Sequence, residues 1–109
     1  MTQPDPLSEQ VFHILLSLRE GPLHGYGIIQ AVEARTGGAF TIGSGTLYSA
    51  IKRMQSDGWI ERVDGSAGED PRRKDYGLTP TGREVVVAEA RRLTELAAYA
   101  RELLPERSS

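Results

Sequence analysis

Four breaks govern what this chain can fold into: Gly21-Pro22, Gly37-Gly38, Gly58 and Thr79-Pro80. Glycine just past a helix adopts the left-handed conformation that stops it, and proline lacks the N–H that would continue it. The stretches between the breaks are long enough only for small elements. After Pro80, by contrast, no further proline intervenes until Pro105. Punctuation of this kind predicts short helices, a strand-rich stretch and one long helix.

The apolar spacing fills in each stretch. Ser8 is a suitable helix cap, with Glu9 in the first turn where the helix dipole favours an acid. Val11, Ile14, Leu15 and Leu18 recur at helical spacing, and Phe12 and Leu16 broaden the stripe. A second helix is predicted from Gly25 to Arg35, burying Ile28, Ile29 and Val32, and Phe40 to Ile42 has room only for a very short strand. A third helix is predicted from a Ser44 cap to Asp57, closed by Gly58. Trp59 to Val63 then alternates as a strand, a turn-rich stretch spans Asp64 to Pro71, and Arg72 to Leu78 returns as the second strand of a hairpin. Thr79 caps a fourth helix, with Pro80 at its first position, that reaches Leu104. The order predicts a mainly α fold with a two-stranded wing. It is a winged helix-turn-helix domain at residues 7–79 followed by a C-terminal dimerisation helix at 80–104.

Composition narrows the function. With 109 residues, 39% hydrophobic and 26% charged, the chain suits one soluble globular domain. No apolar run approaches the roughly 18 residues of a membrane helix. Met1 to Asp5 lacks the basic patch and apolar stretch of a secretion signal, so a cytoplasmic location is expected. The absence of cysteine removes disulfides, thiolate metal sites and thiol nucleophiles together. His13 and His24 are too few and too far apart for a metal cluster. Gly43-Ser44-Gly45 opens like a nucleotide loop, yet Tyr48 stands where the third glycine belongs and no lysine follows a second glycine. Neither an enzyme nor a cofactor is expected.

Thirteen Lys+Arg against fifteen Asp+Glu give a net charge of -2, which taken alone argues against nucleic acid. Phosphates respond to the local field, however, and the charges are unevenly spread. The third helix holds Lys52 and Arg53 and no acid before Asp57, while Arg72, Arg73 and Lys74 stand in a row beyond the turn-rich stretch. On a helix turning about 100° per residue, Leu47, Ala50, Ile51 and Met54 share one arc. The opposite arc carries Gly45, Ser49, Lys52 and Ser56, flanked by Tyr48 and Arg53. A helix with such a surface suits the major groove of a duplex. Its first turn, Ser44, Gly45 and Thr46, permits close approach and can take a phosphate. Tyr48 can bond a phosphate or pack on a thymine methyl, Ser49 can hydrogen-bond, and Lys52 and Arg53 can reach guanine edges or backbone oxygens. Arg72, Arg73 and Lys74 would lie over phosphate or minor groove. The plain alternatives are a solvated helix face and an edge strand guarded by charge.

The fourth helix repeats Val86, Ala90, Leu93, Ala97, Ala100 and Leu104 at alternating spacings of four and three, a coiled-coil seam widened by Val85, Leu96, Tyr99 and Leu103. Such a stripe is expected to bury itself against a second copy, which would set two reading heads on one face of a duplex. Trp59 is expected in the core or at its rim, and the Tyr26 and Tyr76 rings between the second helix and the wing. His24 reads as a cap or turn contact and His13 as lying on the polar edge of its helix.

Three ordered motifs resemble the PadR-like family of transcriptional regulators. They are His24-Gly25-Tyr26-Gly27-Ile28, then Gly45 through Met54 followed by Gly58-Trp59-Ile60, then Arg73-Lys74-Asp75-Tyr76-Gly77-Leu78-Thr79-Pro80-Thr81-Gly82. The resemblance extends from Leu7 to Leu104. It implies a dimeric bacterial repressor whose operator binding is commonly relieved by a small molecule, and it sets Tyr48, Lys52, Arg53, Arg73 and Lys74 near DNA. Two positions depart from the pattern: Asp75, where an uncharged residue is usual, and Gly27, where a charged one is frequent. The expectation is a homodimeric, ligand-responsive repressor on a pseudo-palindromic operator, its effector held between subunits. The alternative is a winged-helix protein–protein module whose basic face docks an acidic partner; salt-dependent, sequence-preferring duplex binding separates the two.

Overall fold

The structure is a computed structural model and describes residues 7–63 and 74–105. Helix α1 (Glu9–Ser17) begins where the Ser8 side chain accepts a 3.1 Å hydrogen bond from the Val11 N–H, satisfying one of the donors a helix start leaves bare. Helix α2 (Gly25–Thr36) ends on Gly37 at φ 62°, in the left-handed region. Helix α3 (Ser44–Ser56) is followed by Gly58 at φ 79°. Helix α4 (Pro80–Arg101) starts with the Gly82 N–H bonded at 2.9 Å to the Thr79 hydroxyl. One cap differs from the expectation. Gly43 is the N-cap of α3, and Ser44 is its first helical residue, so the Ser44 hydroxyl is left on the surface.

The hairpin forms from β2 (Ile60–Val63) and β3 (Asp75–Leu78), and a short third strand, β1 (Leu23–His24), joins its other edge in the order β1-β3-β2. All pairs are antiparallel, with Leu23 opposite Tyr76 and Arg62 opposite Tyr76 from the other side. Phe40 to Ile42 forms no strand. Instead Ile42 is buried, and the Thr36 hydroxyl holds the loop by accepting from the Phe40 N–H at 3.1 Å.

The core sits where the three short helices meet the sheet. Ile14, Leu15 and Leu18 meet Ile28 and Val32 from α2, and Leu47, Ile51 and Met54 from α3, all nearly or fully buried. Each such side chain stabilises the fold by about 1.5–3 kcal/mol. The inner face of α3 is thereby fixed, which is what lets its other face act as a rigid surface.

Helix α4 is clamped to this body at its start. The Thr79 hydroxyl donates to the Gly58 carbonyl at 2.6 Å and the Thr79 N–H to the Trp59 carbonyl at 3.0 Å. The helix passes so close to that strand that a Cβ on Gly82 would overlap the Trp59 carbonyl oxygen. Val85 and Val86 then pack against the core, and Trp59 is half-buried at its rim as expected.

Candidate nucleic-acid interface

Burial divides α3 along the predicted line. Leu47, Ile51 and Met54 are at most 2% exposed and Ala50 is half-buried, whereas Ser44, Gly45, Thr46, Tyr48, Ser49, Lys52 and Arg53 are all exposed. No carboxylate interrupts that surface before Asp57 at the C-terminal end. Lys74, at the foot of β3, is exposed as well. Arg72 and Arg73 lie outside the described residues.

Tyr48 is more constrained than a surface tyrosine needs to be. Its ring lies against the first turn of α2, so close that a Cβ on Gly25 would stand 2.5 Å from the Tyr48 hydroxyl oxygen. A larger residue there would push the end of the Tyr48 side chain away, so the glycine of the His24-Gly25-Tyr26 run lets that ring lie against α2, a relation that spacing could not supply. Tyr76 is buried as expected; burial pushes its phenol above the usual tyrosine value, the neighbouring Tyr48 adds to that, and the charge of Arg62 opposes it. Tyr26 departs from the expectation. It is 62% exposed and takes no part in the core. His24 provides the N-cap backbone of α2 without a side-chain capping bond.

Behind α3, His13 ties three elements together. Arg35 of α2 reaches its Nδ1 and its carbonyl oxygen, each at 3.1 Å, while the Phe40 ring lies 4.6 Å away between centroids. Glu9 approaches the other ring nitrogen at 3.6 Å. Burial, then the charge of Arg19, lowers the pKa of Arg35. His13 does lie on the polar side of α1, but it is enclosed there, and it anchors the turn that delivers α3. Among the described residues no group of three or more His, Asp or Glu could hold a metal.

Helix α4 falls into two halves. Of the predicted seam, Val86 packs against the core and Leu93 is half-buried, while Ala90, Ala97, Ala100 and Leu104 are exposed. Beyond Leu93, Leu96, Tyr99, Leu103 and Leu104 are 56–88% exposed and form an apolar surface. No described helix is long and apolar enough to cross a membrane.

A groove of about 730 Å³ runs between α1, α3 and α4, with Leu7, Val11, Met54, Trp59 and Val85 among its apolar walls. Glu89, 6% exposed, lines it and takes two hydrogen bonds from Arg92, at 2.9 and 2.7 Å. The Arg92 bond and charge, helped by the Leu7 backbone N–H, hold the Glu89 carboxyl below the usual glutamate value against the opposing effect of burial. The sequence reading missed this pair, although the i, i+3 spacing of the two charges was there to be seen.

Comparison with known proteins agrees with this geometry. The family described as "Transcriptional regulator PadR-like family" matches residues 14–88. A transcriptional regulator of Mycobacterium tuberculosis is 34% identical over 89 residues, covering 78% of this chain and 76% of that protein. An uncharacterised protein from a Streptomyces fradiae transposon is 34% identical over 84 residues; the match takes in 77% of this chain but only 23% of that protein. Among solved structures, a transcriptional regulator from Clostridium thermocellum superposes with a TM-score of 0.73 at 26% identity, covering 87% of this chain and 92% of that one. Bacillus subtilis PadR in complex with operator DNA gives 0.63 at 20% identity, covering 94% and 50%.

Proposed function

The chain belongs to the PadR-like family of transcriptional regulators, and from that premise we propose that it is a sequence-specific, duplex-DNA-binding repressor that works as a homodimer and answers to a small molecule. The observation that carries the reading is the outer arc of α3, which is exposed, free of acid and backed by a sealed apolar arc. In this account residues 7–79 form the reading head and 80–104 the dimerisation helix. Helix α3 enters the major groove, which is wide enough to admit a helix. Ser44, Gly45 and Thr46 approach the backbone, and Tyr48, Ser49, Lys52 and Arg53 contact base edges and phosphates. Lys74, with Arg72 and Arg73, serves the wing. That a protein of the same fold, Bacillus subtilis PadR, has been solved on its operator supports this arrangement.

The exposed apolar half of α4 is the natural place for a second copy. Leu96, Tyr99, Leu103 and Leu104 carry most of the contact in this reading, with Ala90, Ala97 and Ala100 allowing close approach. Val86 contributes less than the seam suggested, because it already packs against the core of its own domain. Two heads joined this way read half-sites about one helical turn apart, a spacing near 34 Å.

The groove between α1, α3 and α4 offers an effector site within one subunit, an alternative to the expected one between subunits. It touches Arg53 and Met54 of α3, Asp57 just past its end, and Val85 and Glu89 of α4, so an occupant would alter the angle between head and tail. Regulation then follows from differential affinity for the two spacings of the heads.

The test is fluorescence anisotropy with the DNA upstream of the chain's own gene, titrated at two salt concentrations. Affinity should fall steeply with salt and exceed that for a scrambled duplex. Binding to neither duplex, with capture of an acidic protein instead, would overturn the reading.

A further inference from the structure

Arg62 is a cation that neither the motifs nor the charge clusters single out. In the antiparallel register it stands opposite Tyr76, and Ile60 stands opposite Leu78. Residues two apart on a strand share a face, as do directly opposed residues on neighbouring strands. Arg62 therefore belongs to the same side of the sheet as Ile60 and Tyr76, which are 2% and 6% exposed, the side turned to the core. Glu61 and Gly77 belong to the outer side. Yet Arg62 is itself exposed. A long side chain on the inward face that nevertheless reaches water must emerge past the rim of the core.

The rim at that point is the edge of the recognition surface. Strand β2 packs against α3, and Arg62 on its inward face stands opposite the buried Tyr76. The Tyr48 ring in turn spans from α3 to the first turn of α2. An exposed Arg62 on the inward face of that strand therefore stands on the α3 side of the hairpin. On a duplex, a helix in the major groove and a wing over the minor groove are separated by one sugar–phosphate strand. A cation between them meets backbone oxygens rather than base edges.

We propose that Arg62 is a phosphate anchor set between the recognition helix and the wing, a DNA contact beyond those assigned to α3 and the wing tip. The inference rests on the duplex-binding reading above. Because a phosphate contact is indifferent to sequence, it is testable without knowing the operator. The probe is a random-sequence duplex of roughly 30 base pairs, about three helical turns, titrated with the full chain by fluorescence anisotropy over a series of salt concentrations. Arg62→Gln and Arg62→Met, the second keeping the apolar stem beside Tyr76, should each weaken binding about tenfold and flatten the salt dependence by about one counterion per subunit. Arg62→Lys should keep the slope, and Glu61→Gln, on the outer side, should leave it unflattened. If both neutral variants bind with the wild-type slope and differ only in thermal melting, Arg62 is a cover for Tyr76 and the inference fails. Failure of the wild type to bind any duplex would sink the underlying reading instead.

Discussion

Two surfaces of this molecule are left bare, and they are chemically opposite. The outer arc of α3 exposes Ser49, Lys52 and Arg53 among small residues, while the far half of α4 exposes Leu96 and Tyr99, and the turn beyond Arg101, where the helix stops short of the expected Leu104, exposes Leu103 and Leu104. Water satisfies the first arc at little cost, and its backing of Leu47, Ile51 and Met54 is already sealed. Water does not satisfy the second, since covering apolar surface gains about 25 cal/mol per Å². Equal exposure therefore means different things. In the proposed reading the polar arc is a finished surface for a highly charged ligand, and the apolar one is half of a contact.

The strongest way to break that contrast is Leu96→Glu together with Leu103→Glu. The pair should run as a monomer in sedimentation and lose duplex affinity on the order of 100-fold or more, as the second head no longer acts at high effective concentration, while the melting of the domain stays close to wild type. A double variant that remains dimeric would remove the tail from the account. Gly82→Ala acts on the joint between the two surfaces. Its methyl meets the Trp59 carbonyl, so urea unfolding should show a loss of about 2–3 kcal/mol, and both activities should decline together. Lys52→Ala sharpens the contrast from the other side, with a loss of about 1–2 kcal/mol in duplex binding and an unchanged sedimentation coefficient. Replacement of Lys52 that altered the oligomeric state would show that the two surfaces are not separate.

The smallest effect concerns pH. Because the Glu89 carboxyl is held below the usual glutamate value, its contribution to stability is present above about pH 4.3, the unfolded value, and fades as pH falls through the lower folded value. Glu89→Gln should cost about 1 kcal/mol at neutral pH, since Arg92 is left without its carboxylate, and should flatten the acid limb of a stability-versus-pH curve. An acid limb identical to wild type would place the acid sensitivity elsewhere.

Much of this was legible in local signals. Ser8, Gly37, Gly58 and Thr79 mark element ends because caps and left-handed glycines act over three or four residues. The two arcs of α3 follow from periodicity alone, and the structure divides them as projected. What stayed hidden depends on residues distant in sequence. Strand β1 is two residues long and exists only because β3 pairs with it. The requirement for glycine at position 82 comes from the Trp59 carbonyl, and the close approach at Gly25 from the Tyr48 ring, each more than twenty residues away. Tyr26 was expected to pack its ring between α2 and the wing, but α2 directs Ile28 and Val32 to the core and leaves Tyr26 exposed. Along the α4 seam Val86 packs on the domain core while Ala90, Ala97, Ala100 and Leu104 stay exposed, a division no heptad pattern encodes.

The most direct test of the central claim is sedimentation of the full chain with a labelled duplex carrying a site selected from random sequence. Protein is raised against fixed DNA at low and at moderate salt. The account predicts that the free chain sediments as a dimer, that two chains load onto each duplex in one step, and that loading weakens with salt. A free chain that sediments as a monomer and loads singly, or loading indifferent to salt, would contradict it.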